Sequence, residues 1–207
     1  RVEVRTNVSD LAGRALVAAA ASVFTTAAES VQRAAIGAQL ISYEPRALVL
    51  IDQSESALYE VELELEGIRA HTQVVYLVAD ITSRDRMSSI MDEFRPDTLY
   101  HAAAYKHVPM MEKNPTEAVQ TNILGTRILA DLAVKYQVGK FVMISTDKAI
   151  NPTSVMGCTK RIAEIYVQAL DRYERETDGN TEFITTRFGN VLGSNGSVVP
   201  IFERQIR

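Results

Sequence analysis

Short apolar runs recur along the chain, and each breaks into polar or small residues at its C-terminal end. Ala47 to Ile51 runs into Asp52, and Val74 to Val78 leads to Asp80-Ile81. Thr98 to Ala104 closes on Ala102-Ala103-Ala104, Phe141 to Ile144 breaks into Ser145-Thr146-Asp147-Lys148, and Glu182 to Phe188 ends in Gly189-Asn190. Bounded runs of this length have the composition of buried strands. Between them the spacing turns helical. Ser54 to Glu66 carries Leu58, Val61 and Leu65 at i, i+3 and i+7; Ser83 to Phe94 precedes a Pro96-Asp97 turn. Pro115 to Gln137 reads as one long helix with Ile123, Ile128, Leu129 and Leu132 mostly inward. Val155 to Tyr173 follows the start signals Asn151-Pro152 and Ser154. Strands alternating with helices at this rhythm predict βαβ units: an α/β fold with a doubly wound parallel sheet and helices on both faces. No repeat or low-complexity tract divides the run. The expected organisation is a segment over 1–17 and one domain over 18–207.

Composition narrows the partners. Of the 207 residues 46% are hydrophobic and 23% charged, ordinary for a globular protein able to bury one substantial core. A net charge of −4 gives no basis for binding nucleic acid or an anionic membrane surface. A single cysteine, Cys158, excludes an internal disulfide, fits a reducing compartment, and reads as a small packed residue. No stretch reaches the ~18–20 apolar residues of a membrane span. The nearest, Ala15 to Ala28, stops at Glu29 and has no basic segment before it. The expected location is cytoplasmic. Arg1 and Arg207 both read as cuts within a longer chain.

The candidate chemistry sits where the run from Phe141 ends. In an open α/β sheet, ligands bind at the carboxyl ends of the strands. Asp147 and Lys148 put a carboxylate and an amine side by side at such an end, a pair able to act as general acid and general base. The alternative is that Asp147 caps the helix that follows while Lys148 is merely solvated. Asp52 divides in the same way between a ligand for adenosine ribose hydroxyls and a helix cap. Ala102 to Ala104 suit either a flat cofactor or plain close packing. His107 reads as a surface histidine.

The words STDKAINPT and MGCTKR resemble the nucleotide-sugar 4,6-dehydratases of the extended short-chain dehydrogenase/reductase superfamily. More narrowly, they resemble the polysaccharide-biosynthesis branch that dehydrates UDP-N-acetylglucosamine. LIDQSESALYEVELEL (50–65), HAAAYKHVPMMEKNP (101–115), TNILGT (121–126) and RFGNVLGSNGSVVPIF (187–202) extend the likeness from about Pro45 to the end. It implies a Rossmann-like domain, NADP or NAD as cofactor, a UDP-sugar substrate and a homo-oligomer. It also implies oxidation at sugar C4, loss of water across C5–C6, and return of the hydride to C6. On it, Asp147 is the acid, Lys148 the base, and Thr146 a hydrogen-bonding partner near C4. Asp52, Ser54, Asp80, Ile81, Ala102, Ser145 and Lys160 are cofactor ligands, Lys106 reaches both cofactor and sugar nucleotide, and Asn190 binds substrate. VSDLAGRALV (8–17) resembles the linker into the catalytic domain of membrane-tethered members, placing a tether upstream at the cytoplasmic face of the inner membrane. The family's sugar-nucleotide lobe runs on for roughly a hundred residues, so it is expected to be largely missing after Arg207.

Two positions depart from the pattern. Four residues before Lys160 the superfamily usually has a tyrosine; here Met156 cannot exchange a proton. The membrane-tethered subset shares that methionine, and Asp147 or a water held by Thr146 is left to take the C4 hydroxyl proton. The second departure is the glycine-rich turn that lets a backbone approach a pyrophosphate. Where the resembled enzymes carry a TGAGGSIG-like loop, counting back from Pro45 lands on Thr26 to Arg33, and no glycine lies between Gly13 and Gly37. Weak dinucleotide binding is therefore expected. The alternatives to a dehydratase are an inactive remnant that keeps the site words, and an epimerase on the same fold. An epimerase would want tyrosine at 156 and has no use for Asp147-Lys148.

Overall fold

The computed structural model describes residues 21–26, 30–68 and 71–189. Six strands form one parallel sheet: β1 (Ala21–Thr26), β2 (Ala47–Asp52), β3 (Gln73–Val78), β4 (Thr98–Ala102), β5 (Lys140–Thr146) and β6 (Glu182–Phe188). Their spatial order is β3-β2-β1-β4-β5-β6, with every pairing parallel. The helices are α1 (Ser30–Ile41), α2 (Glu55–Leu65), α3 (Arg84–Phe94), the short α4 (Val108–Lys113), the composite α5 and α6 (Val155–Glu176). In α5, Pro115–Ala118 and Thr126–Lys135 are α-helical and Val119–Gly125 between them is π-helical.

The central strands carry apolar runs because both faces of the sheet are covered there. Leu48, Leu50, Tyr100 and Val142 face one side, buried with Leu40 of α1 and Leu58, Val61 and Leu65 of α2. Their neighbours Val49, Ile51, Leu99, Phe141 and Met143 face the other, with Met87 and Ile90 of α3, Leu129 and Leu132 of α5, and Ala163 and Val167 of α6. The order reverses between β1 and β4. In a doubly wound sheet that switch point opens a crevice at the carboxyl ends of the strands. Among the described residues, no helix is long and apolar enough to cross a membrane.

Several expectations need correction. β4 stops at Ala102, so Ala103 and Ala104 belong to the connection. The expected single helix over 115–137 ends at Lys135 and contains the π-helical turn. The helix α4 was not expected: six residues with Pro109 near the start carry too little periodicity to read. Asp52 does not cap α2; Ser54 does, accepting the Ala57 N–H at 3.3 Å, while Asp52 Oδ1 accepts the Ser54 N–H at 2.8 Å. Nor does Asp147 cap α6, whose cap is Ser154, accepting the Gly157 N–H at 3.1 Å. Cys158 is exposed, not packed, because the first turns of α6 bury Met156, Gly157, Thr159 and Lys160 and turn 158 outward. The segment over 1–17 and the residues from Asn190 onward lie outside the described residues.

Candidate active site

β5 leaves the sheet at Thr146 and enters a 3₁₀ turn, Asp147–Ala149. Thr146 caps that turn by accepting the Lys148 N–H at 3.3 Å. Its hydroxyl donates to Asp147 Oδ1 at 3.0 Å, and Lys148 Nζ donates to the same oxygen at 3.2 Å. Burial pushes the Asp147 carboxyl up, but the hydrogen bonds from Lys148 and Thr146 outweigh it and hold it below the ordinary value. The pair is about half exposed, so a ligand can reach it. The turn is fixed from below by α6. A Cβ on Gly157 would stand 2.4 Å from the Lys148 carbonyl oxygen, so only glycine permits this close approach.

Beneath the pair lies a buried charge cluster. Lys160 is 4% exposed, and its Nζ donates to the Ile144 carbonyl at 2.8 Å. Burial lowers its pKa to about 8, with the nearby Glu164 charge opposing that shift. Glu164 is fully buried. It accepts from Arg187 Nε at 2.8 Å, Arg187 Nη2 at 2.6 Å and Arg161 Nη1 at 3.0 Å. Burial pushes its carboxyl up, yet the hydrogen bonds from Arg187 and Arg161 bring it below the usual range.

A second network joins β4 to the helices. Asn122, in the π-helical part of α5, accepts the Tyr105 N–H at 2.8 Å and donates to the Tyr105 carbonyl at 3.1 Å and to Thr159 Oγ1 at 3.0 Å. The Thr126 hydroxyl donates to the Asn122 carbonyl at 2.7 Å, leaving only lone pairs for His101 Nε2 at 2.8 Å. That nitrogen therefore carries the proton. Burial, helped by the Lys160 charge, pushes the His101 pKa down to about 3 and keeps the ring neutral. Met156 is 3% exposed and packs with Met111, Ala118, Tyr105, Val108 and Val155 in a separate apolar cluster.

On the other side of the switch point β1 ends at Thr26 and α1 begins at Ser30, so a strand and a helix flank the position of the expected loop, which carries no glycine. The expected loop residues Ala27, Ala28 and Glu29 lie outside the described residues. Asp52 is buried at the end of β2, and the Ser54 hydroxyl is committed to its cap. Exposed Asp80 accepts the Thr82 N–H at 2.8 Å, and Ile81 beside it is buried. Ile81 fits against α5 because Gly125 is bare: a Cβ there would lie 2.5 Å from Ile81 Cδ1. Ala102 is partly buried at the end of β4, with Lys106 four residues on and His107 exposed. A buried acid at one strand end, small and apolar side chains between, and a buried amine at another form a donor set that fits a dinucleotide across these ends.

The fold thus gathers Ser145, Thr146, Asp147, Lys148 and Lys160 around the end of β5, with Asp52, Asp80, Ile81, Ala102 and Lys106 at the ends of the neighbouring strands. Asn190 lies outside the described residues. His101, Asn122, Glu164 and Arg187 were not singled out from the sequence. A glutamate one helical turn after Lys160, on the same inward face of α6, was the available signal.

The model of a family described as "Polysaccharide biosynthesis protein" matches residues 23–207. The chain is 47% identical over 169 residues to the capsular polysaccharide biosynthesis protein CapD of Staphylococcus aureus, covering 81% of this chain and 28% of that one. It is 36% identical over 170 residues to the UDP-N-acetylglucosamine 4,6-dehydratase (inverting) of a Campylobacter jejuni strain, covering 81% of this chain and 48% of the relative. The chain therefore spans between a quarter and a half of these relatives. The X-ray structure of Pen from Bacillus thuringiensis superposes with a TM-score of 0.80 at 33% identity, over 90% of this chain and 55% of that one. The doubly wound sheet, the acid–amine pair at the end of β5 and a family match across most of the sequence agree, and the chain belongs to the polysaccharide biosynthesis protein family.

Proposed function

We propose that the protein carrying this chain is a nucleotide-sugar 4,6-dehydratase. It converts UDP-N-acetylglucosamine to a UDP-4-keto-6-deoxy sugar for a surface polysaccharide or glycan. The observation that carries this reading is the Asp147–Lys148 pair, joined at 3.2 Å on a strand's carboxyl end and open to a ligand. NAD or NADP, when bound, supplies a hydride acceptor for C4 and donor for C6. Asp52 holds the adenosine ribose, Asp80 and Ile81 flank the adenine, Ala102 leaves room for the flat rings, and Lys160 holds the nicotinamide ribose. Lys106 reaches toward the sugar nucleotide.

The pair carries one proton. Its ionised form keeps that proton on Lys148; transfer along the hydrogen bond to Asp147 gives a neutral amine and a protonated carboxyl. Lys148 then takes the C5 proton and Asp147 protonates the departing C6 hydroxyl, so the elimination balances. Thr146, already bound to Asp147, orients the carboxyl and meets the sugar near C4.

The protein will be incubated with UDP-N-acetylglucosamine and NADP or NAD in D2O. The expected product has lost one water and carries deuterium at C5. A product of unchanged mass and inverted C4 would establish the epimerase reading instead.

Cofactor affinity is expected to be weak, because Ala27, Glu29, Ser30 and Arg33 stand where glycines or neutral residues serve a pyrophosphate. Titration of NADPH fluorescence checks this, and saturation at micromolar concentration would contradict it. Replacing the four with glycine is expected to tighten binding.

A further inference from the structure

We propose that Glu164 is a positioning residue of this crevice: its buried carboxylate ties β6 to α6 through Arg187 and supplies the counter-charge that keeps the Lys160 amine protonated below the site. The inference rests on the proposed function in one respect, that Lys160 holds the cofactor's ribose.

A carboxylate without solvent is costly to bury unless its oxygens are filled by charged donors. Glu164 is 0% exposed, and its oxygens meet Arg187 twice and Arg161 once. One group therefore joins β6 to its own helix. β6 matters to the chemistry because its next residue, Gly189, lies against the pair: a Cβ there would be 3.8 Å from Asp147 Oδ2. Lys160 lies one helical turn before Glu164, so both occupy the same buried face of α6.

The charges around Lys160 leave Glu164 as its counter-ion. His101 on β4 is neutral, Arg187 on β6 and Arg161 on α6 are cations, and Asp147 is bound to Lys148. Lys160 donates to a neutral carbonyl, which leaves its positive charge uncompensated. A lysine at this depth whose pKa is about 8 stands at the edge of losing its proton near neutral pH. Without the carboxylate its pKa would fall further, and a larger share of the amine would be neutral there.

The test follows Lys160 by NMR in protein labelled at the lysine Cε carbons, with its signal assigned through Lys160→Arg. In Glu164→Gln the Lys160 midpoint is expected to fall by roughly one pH unit or more. Glu164→Asp keeps the charge and is expected to restore most of it. NADPH is then titrated at about pH 6 and about pH 9, on either side of the midpoint, using shift changes so that weak binding is measurable. Glu164→Gln is expected to bind close to normally at the lower pH, with its loss of affinity setting in at lower pH than in the unaltered protein. An unmoved Lys160 midpoint, with NADPH weakened equally at all pH values, would reduce Glu164 to a structural staple and overturn the proposal. Should Glu164→Gln fail to fold, Arg187→Lys keeps the charges and loosens the clamp. A Lys160 midpoint shifted there as far as about one unit would place the effect in packing, and so also overturn it. If the midpoint moves as expected but NADPH affinity ignores Lys160's titration even in the unaltered protein, the ribose role fails and the counter-charge stands.

Discussion

Lys148→Ala is expected to abolish exchange of the sugar C5 proton with solvent and to cut turnover by ~100- to 10,000-fold, the usual worth of a positioned proton-transfer group. Asp147→Asn is expected to lose a comparable factor at a different step, with the 4-keto sugar formed and its C6 hydroxyl retained. Neither change should unfold the protein. The pair is about half exposed, and an ion pair in contact with water contributes only ~0–1 kcal/mol. Thermal melts beside the kinetics separate the two effects, and UDP-sugar affinity should be nearly unchanged in Lys148→Ala. Near-normal turnover of that variant would place the base elsewhere.

The second large effect comes from a residue with no side chain. Gly157→Ala would ordinarily help a helix by about 1 kcal/mol. Here the new methyl group would meet the Lys148 carbonyl oxygen at 2.4 Å, its carbonyl carbon at 3.3 Å and Pro152 Cβ at 3.2 Å. Backbone cannot swing aside as a side chain can, so the 3₁₀ turn must shift. Overpacking of this kind costs ~1–3 kcal/mol. Displacing a catalytic group by about 1 Å costs on the order of 100-fold in rate. Gly67→Ala, where nothing lies within 4 Å of the added atom, is the control and should be silent in both measurements. If Gly157→Ala melts and turns over normally, the turn is more pliant than its contacts imply.

The parts of the fold that were legible in the sequence are those where burial dictates composition. β2 and β5 carry the apolar runs Leu48 to Ile51 and Phe141 to Ile144 because helices cover both faces, and β6 was read with the bounds the structure gives it. β1 was not legible. Its neighbourhood is alanine-rich and the glycines that would mark its end are absent, so pairing with β2 and β4 supplies what local sequence does not. The π-helical turn of α5 is also silent in sequence, because it is selected by Asn122 meeting Tyr105 across 17 residues. The site divides in the same way. Asp147 and Lys148 are visible because adjacency at a strand end is local, whereas Glu164 and Arg187 become partners only once β6 lies beside α6. Asp52 and Ser54 show the limit of cap reasoning: both types suit the position, and only geometry assigns the cap to serine.

Asn122 has a consequence for how the crevice meets a ligand. One amide fastens both backbone groups of Tyr105 and, through Thr159, the second turn of α6. Two walls of the cleft, and Lys106 next to Tyr105, are thereby set in place before anything binds. The entropy of arranging them is lost when the chain folds and not when the ligand arrives, so more of each later contact appears as affinity or rate. The cleft behaves as a preorganised vice whose jaws do not slide against each other. Whatever motion admits a bulky ligand falls to segments outside that fastening.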